Sequence, residues 1–385
     1  MSRPAPPLSG GAVDWQFAGA VGARLARPGP PTTDYTRAQV IDDLAEASRR
    51  AEAHVREVTG LSVDGPARDA RIIDRREWIR AAANSLRVMA GGGPTPGTGA
   101  AGFGPAVGSG PGLRVVAGGG AGFGAGLGAG FGAVTGRLAG AQTGAVLAFV
   151  SAGILGQFDP FTADGGDLLL VYPNVIAAER QLRVPPRDFR LWVCLHEVTH
   201  RVQFTANPWL SRYMADTLAV VTAGRDDDVL EVAGRLAGLL RERAGMSGPG
   251  GSEAGPTGVI GVLRAMLAEP QRDALDRLLV LGTLLEGHAD HVMDAVGPAV
   301  VPSVHLIRRR FDDRRHRPQP PLQRVLRALL GIDAKLSQYT RGKAFVDEVV
   351  ARAGMAGFNT VWSGPDALPL PNEIENPALW VDRVL

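Results

Sequence analysis

The stretch LWVCLHEVTHRVQF, residues 191–204, decides how this chain is read. It places His196 and His200 four residues apart, with Glu197 directly after the first. At 3.6 residues per turn, side chains four apart share one helix face, so both imidazoles can reach a single ion about 2 Å away. Glu197 falls about 100° further round, beside such an ion and not on it, which suits a general base acting on a coordinated water. Trp192, Leu195 and Val202 form an apolar opposite side that can fix the helix in a core. Two histidines do not hold a catalytic zinc; a third protein ligand is required, with the fourth position left to water.

A downstream stretch offers that ligand. LLEGHADHVMDAVG (284–297) places Glu286 and Asp290 on one helical face, flanked by Leu284, Leu285, Val292 and Met293. Glu286 would bind the metal, and Asp290 would hydrogen-bond the outer nitrogen of a ligand histidine, fixing its tautomer. A rival ligand set uses His288 and His291, which also share a face. Hydrolysis further needs a donor for the oxyanion that forms at the attacked carbonyl. His288, His291, Tyr339, Tyr213 and Arg308 are open alternatives for that role.

The rest of the sequence sets the frame. The chain has 385 residues, 45% hydrophobic and 21% charged, the composition of a globular protein. A formal charge of +2 gives no preference for polyanions. There is no zinc finger, RNA-binding aromatic pattern or Walker loop, so no nucleic-acid partner is expected. Cys194 is the single cysteine, which excludes an intramolecular disulfide, and its apolar neighbours mark it as a buried packing residue. Residues 1–15 contain no continuous apolar segment of the secretory kind, so a cytoplasmic location is expected. Residues 138–158 carry no charge, but their glycines with Gln142, Thr143 and Ser151 favour a buried helix over a membrane span.

Organisation follows from periodicity. Val40, Ile41, Leu44 and Ala47 recur at helical spacing between Asp34 and Gly60, and Trp78, Ile79, Ala82, Leu86 and Met89 do so between Asp74 and Met89. Residues 166–175, GDLLLVYPNV, form the best strand, one that could line a cleft and pair with an extended substrate or equally be an ordinary internal strand. Helices are expected over 132–156, 209–222, 227–245, 259–268, 271–296, 302–316, 321–337 and 341–353. RRRFDDRRHR (308–317) is a charge cluster with compensating pairs at i,i+4, a solvated helix face. The resulting expectation is a mainly α protein with a small β-sheet, of α+β class. It has an N-terminal helical region (1–90), a Gly-rich low-complexity insert (91–136) and a metallohydrolase core (137–385).

HExxH followed by a helix carrying E-x-x-x-D resembles the gluzincin side of the zincin metallopeptidases. More specifically, LHEVTHRVQF, LLEGHADHVMD, LGQFDPF (155–161), VDWQFAGAVGARLARPGP (13–30) and PLPNEIENPALWVDRV (369–384) resemble an actinobacterial family of zincin-like, zinc-dependent metallopeptidases. The subgroup it is most similar to carries a label associating it with biosynthesis of coenzyme F-420. The resemblance implies one Zn²⁺ per chain on His196, His200 and Glu286, Glu197 as the base, and a peptide or amide substrate. The long separation of His200 from Glu286 departs from thermolysin-like enzymes, whose third ligand follows much sooner. A zincin-derived binding or scaffold protein without turnover is the alternative reading.

Overall fold

The computed structural model describes residues 13–63, 65, 68–90, 124–162, 165–222, 267–315 and 332–385. The helix expected at 227–245, and most of those expected at 259–268 and 321–337 and of the Gly-rich insert, lie outside the described residues.

The chain is mainly helical with one small sheet. In order run α1 (Trp15–Leu25), α2 (Asp34–Thr59), β1 (Arg71–Ile73), α3 (Arg75–Met89), α4 (Gly124–Ser151), β2 (Gly156–Asp159), β3 (Asp167–Val171), α5 (Tyr172–Leu182), α6 (Pro186–Ala206) and α7 (Trp209–Thr222). After residue 266 follow α8 (Glu269–Val300), α9 (Val304–Arg315), α10 (Ile332–Phe358) and two short C-terminal helices, Pro371–Glu375 and Pro377–Val384. Local signals explain the boundaries. The Thr33 hydroxyl accepts from the Thr36 N–H to start α2, and Gly60, at φ 63°, ends it in the left-handed conformation that glycine adopts without strain. Asp74 and Glu77 form a reciprocal capping box on α3. Pro186 opens α6, where its missing N–H is no loss.

The sheet order is β1–β3–β2, with β1 parallel and β2 antiparallel to β3. The best strand of the sequence is therefore the central one. It is also shorter than its apolar run, because Tyr172 already begins α5. Both its edges are taken, so of the two readings it is the internal strand and does not pair with substrate; β2 is the outer strand of this pair. Alternate residues of β3 face opposite ways. Leu168 and Leu170 enter the main core around α6, whereas Leu169 and Val171 enter a second core with Trp78, Ile79, Leu147 and Ala148.

Helix α4 packs on α1 through small residues. A Cβ at Gly140 or Gly144 would come within 2.6 Å of the Asp14 carbonyl oxygen or 2.5 Å of that of Ala18. This helix begins at Gly124, earlier than the expected 132, and serves as a packed element. Among the described residues, no helix is long and apolar enough to cross a membrane.

Helix α6 is the axis of the main core. Apart from His196 and His200, every residue from Phe189 to Phe204 is buried. Two of these are arginines, and both are paired. Arg190 reaches Glu179 at 3.0 Å and also Asp43. Arg201 bonds Glu52 and donates to the Arg68 carbonyl at 2.8 Å. Buried charges persist only with such partners, and removing one partner typically costs about 3–5 kcal/mol. These pairs lock α6 to α2 and α5, leaving its two partly exposed histidines facing α8. Cys194 is fully buried with its thiol toward the Leu44 carbonyl, and burial pushes its pKa up, so it is an inert packing group.

Candidate metal centre

His196 and His200 project from α6 toward α8, and Glu286 projects from α8 to meet them. The two Nε2 atoms are 3.2 Å apart. Glu286 Oε2 lies 3.2 Å from His196 Nε2 and 3.7 Å from His200 Nε2. These three ligand atoms form the one group of this kind found among the described residues. Oε2 is buried and, despite its closeness to both rings, makes no aligned hydrogen bond. Ligand atoms about 2.0–2.1 Å from a tetrahedral zinc stand roughly 3.3 Å from one another. The observed separations match that spacing, so the donor set fits a zinc ion. Each of the three side chains keeps about 14–24% exposure, leaving one side of the site accessible.

The charges of this cluster respond to one another. Burial alone would depress His196, but the adjacent Glu286 carboxylate, with Glu197 and Asp290, overrides it and raises the imidazole to about 9. Glu286 would be raised by its burial, yet the two imidazoles hold it well below the ordinary carboxylate value. Glu197 is raised, because burial outweighs the pull of His196 and His200. Its position is set by β2: a Cβ on Gly156 would lie 2.6 Å from Glu197 Cγ, so the strand passes directly over the carboxylate's stem.

Glu286 is held in place by a close helix crossing. An added Cβ at Gly287 would overlap the Gly342 backbone, and one at Gly342 would overlap the Thr283 carbonyl, so α8 and α10 touch backbone to backbone beside the ligand.

The structure distributes the other expected site residues differently. Asp290 does not hold a ligand histidine. Its carboxylate accepts from Arg308 at 3.0 Å, and it acts on His196 only through its charge. The outer nitrogen of His200 meets Gln203 Oε1 at 2.9 Å, a partner the sequence reading missed. Arg308 is committed to Asp290 and Asp294 and lies 5.6 Å over the Trp192 ring, so its charge serves the α6–α8–α9 junction. His288 is fully buried. It packs on Phe358 and Trp362 with ring centroids 5.0 and 5.5 Å away, which removes it from the metal's accessible side. His291 is paired with Asp347 at 2.7 Å. Neither histidine joins the ligand cluster. Tyr213, on α7, packs edge-on against Trp209, and burial raises its hydroxyl pKa. Tyr339 lies on α10 with its side chain outside the described residues.

A helical α+β frame with two histidines and a glutamate converging from two helices, and a buried Glu197 beside them, defines a class of protein with a site positioned to bind a metal ion. The comparisons agree. The profile described as zincin-like metallopeptidase matches residues 13–381, and the chain belongs to that family. A solved structure from Chloroflexus aurantiacus, described as a "putative hydrolase with a novel fold", superposes with a TM-score of 0.61 at 25% identity, covering 96% of this chain and 98% of that one. No curated protein matches.

Proposed function

We propose that the protein is a zinc-dependent hydrolase of gluzincin type, acting on peptide or amide bonds. The observation that carries this reading is the convergence of His196 Nε2, His200 Nε2 and the buried Glu286 Oε2 at zinc-ligand spacing. His196, His200 and Glu286 would hold the ion. When bound, zinc supplies a Lewis acid and lowers the pKa of a coordinated water toward about 7. Glu197, buried and raised above the ordinary carboxylate range, is suited to take a proton from the attacking water and return it to the leaving amine. Strand β2 lies alongside this base, so an extended substrate running along its outer edge would present its carbonyl near Glu197.

Glu197→Gln separates the base from the ligands. Metal analysis of the reconstituted variant is expected to show one zinc per chain, as in wild type, while peptidase turnover falls by at least about 10²-fold, the usual scale for a lost general base. A zinc content far below stoichiometric in wild type, or unchanged turnover in the variant, would overturn the proposal.

A further inference from the structure

Gln203, one helical turn beyond His200, is buried and uses both N–H groups and the oxygen of its amide. Its Nε2 lies 3.0 Å from the Leu285 carbonyl oxygen and 2.9 Å from His288 Nδ1. Its Oε1 lies 2.9 Å from His200 Nδ1. The assignment of oxygen and nitrogen in a side-chain amide rests on its neighbours. Here the neighbour is unambiguous, because a backbone carbonyl only accepts. Turning the amide over would set two oxygens against each other at 3.0 Å. The NH₂ group therefore faces Leu285 and His288, and the carbonyl oxygen faces His200.

The proton positions follow. His200 Nδ1 must carry the hydrogen that Gln203 Oε1 accepts, which in the neutral ring leaves Nε2 with a lone pair on the side of His196 and Glu286. His288 Nδ1 must accept from Gln203, so its hydrogen sits on Nε2. That atom is buried without a hydrogen-bond partner, on a ring held between Phe358 and Trp362. Leu285 precedes the third ligand by one residue, so the same amide that orients His200 also ties its helix to the backbone beside Glu286.

We infer that Gln203 is a positioning residue of the metal centre: it fixes His200 as the Nδ1–H tautomer with Nε2 free to bind zinc, and it fastens the His200 and Glu286 helices to each other. The inference rests on the zinc reading above for what His200 holds, but not for its tautomer. The Leu285 carbonyl acts through Gln203 by fixing which way its amide points.

Two measurements on the full-length chain test it. Histidine-selective ¹⁵N labelling at mildly alkaline pH reads each tautomer by long-range ¹H–¹⁵N correlation, the seven histidines being assigned by single substitutions. The expected result is a proton on Nδ1 of His200 and on Nε2 of His288. A proton on His200 Nε2 alone overturns the inference. In parallel, Gln203→Met keeps the length of the side chain without its amide. Zinc affinity measured by competition with a chelator is expected to fall about 10–100-fold, the range for losing an outer-shell partner of a metal ligand. Unchanged zinc affinity with only a lowered melting temperature would make Gln203 a packing residue and overturn the inference. Wild-type protein that takes up no zinc overturns the functional reading instead, and the tautomers of the metal-free protein then decide the role of Gln203 alone.

Discussion

His196 is where the electrostatics of the site is most testable. In the metal-free protein burial disfavours its charge, but Glu286 at 3.2 Å, with Glu197 and Asp290, raises it to about 9. At neutral pH it holds a proton on the cluster that a zinc ion must displace. The sign is therefore fixed: below about pH 9 the proton competes with zinc, and apparent affinity rises with pH until that point. A slope of about one log unit per pH unit between pH 7 and 8, equivalent to about 1.4 kcal/mol, is expected in chelator-competition titrations. A flat profile over that interval would contradict the protonated state of His196. At this scale the sequence was informative about the groups on the HExxH helix. His196, Glu197 and His200 share one helix, so spacing alone relates them. Gln203 shares that helix too, at the next turn, but its role depends on the Leu285 carbonyl and on His288, and no spacing within α6 reveals a partner on α8.

Elements position these groups through close approaches that only glycine permits. Gly287 and Gly342 let α8 and α10 touch beside Glu286. Gly287→Ala is expected to destabilise the protein by about 1–3 kcal/mol in urea unfolding, through overpacking, and to weaken zinc binding by displacing Glu286. Wild-type zinc affinity in that variant would mean that the crossing does not position the ligand. Gly156→Ala addresses β2 in the same way. Its methyl would meet the Glu197 stem, so turnover should fall by up to about 10²-fold while zinc content stays stoichiometric, as expected for a misplaced catalytic group. Helix existence was legible at this scale: α2 and α3 follow from periodicity and caps, and α6 from its proline start and the HExxH spacing. The roles of the strands were not. The run 166–175 reads as a strand from its composition, but which strand of a sheet is central depends on β1 and β2, which are three and four residues long and carry little signal of their own.

For the whole molecule, the buried histidine ties stability to pH. His288 has its pKa lowered to about 3, by burial first and then by His291 and His200. The unfolded chain takes up this proton near pH 6.5 and the folded protein does not until about pH 3. The resulting stability is fully present above about pH 6.5 and is lost progressively as pH falls from there toward 3. Urea unfolding of metal-free protein at pH 7.5 and 5.5, compared with His288→Gln, isolates this contribution from the other titrating groups. The wild type is expected to lose more stability than the variant between the two conditions. Parallel losses would show that His288 does not resist protonation in the fold.

The sequence by itself determined the helical class and the HExxH helix, because these depend on periodicity and on the short-range geometry of a single helix; it offered Glu286 as a candidate, and only the packing of α8 against α6 brings that carboxylate to the two imidazoles. It could not assign the outer partners. Asp290 had the right spacing, yet Arg308 from α9 claims its carboxylate; His288 and His291 had the right chemistry, yet one is enclosed by Phe358 and Trp362 and the other is paired with Asp347. Those outcomes rest on contacts between residues distant along the chain, where the nearest charge or ring is set by how helices cross. Tertiary packing alone decided which way the Gln203 amide points, because the Leu285 carbonyl on α8 takes its NH₂ group and leaves its oxygen to the outer nitrogen of His200.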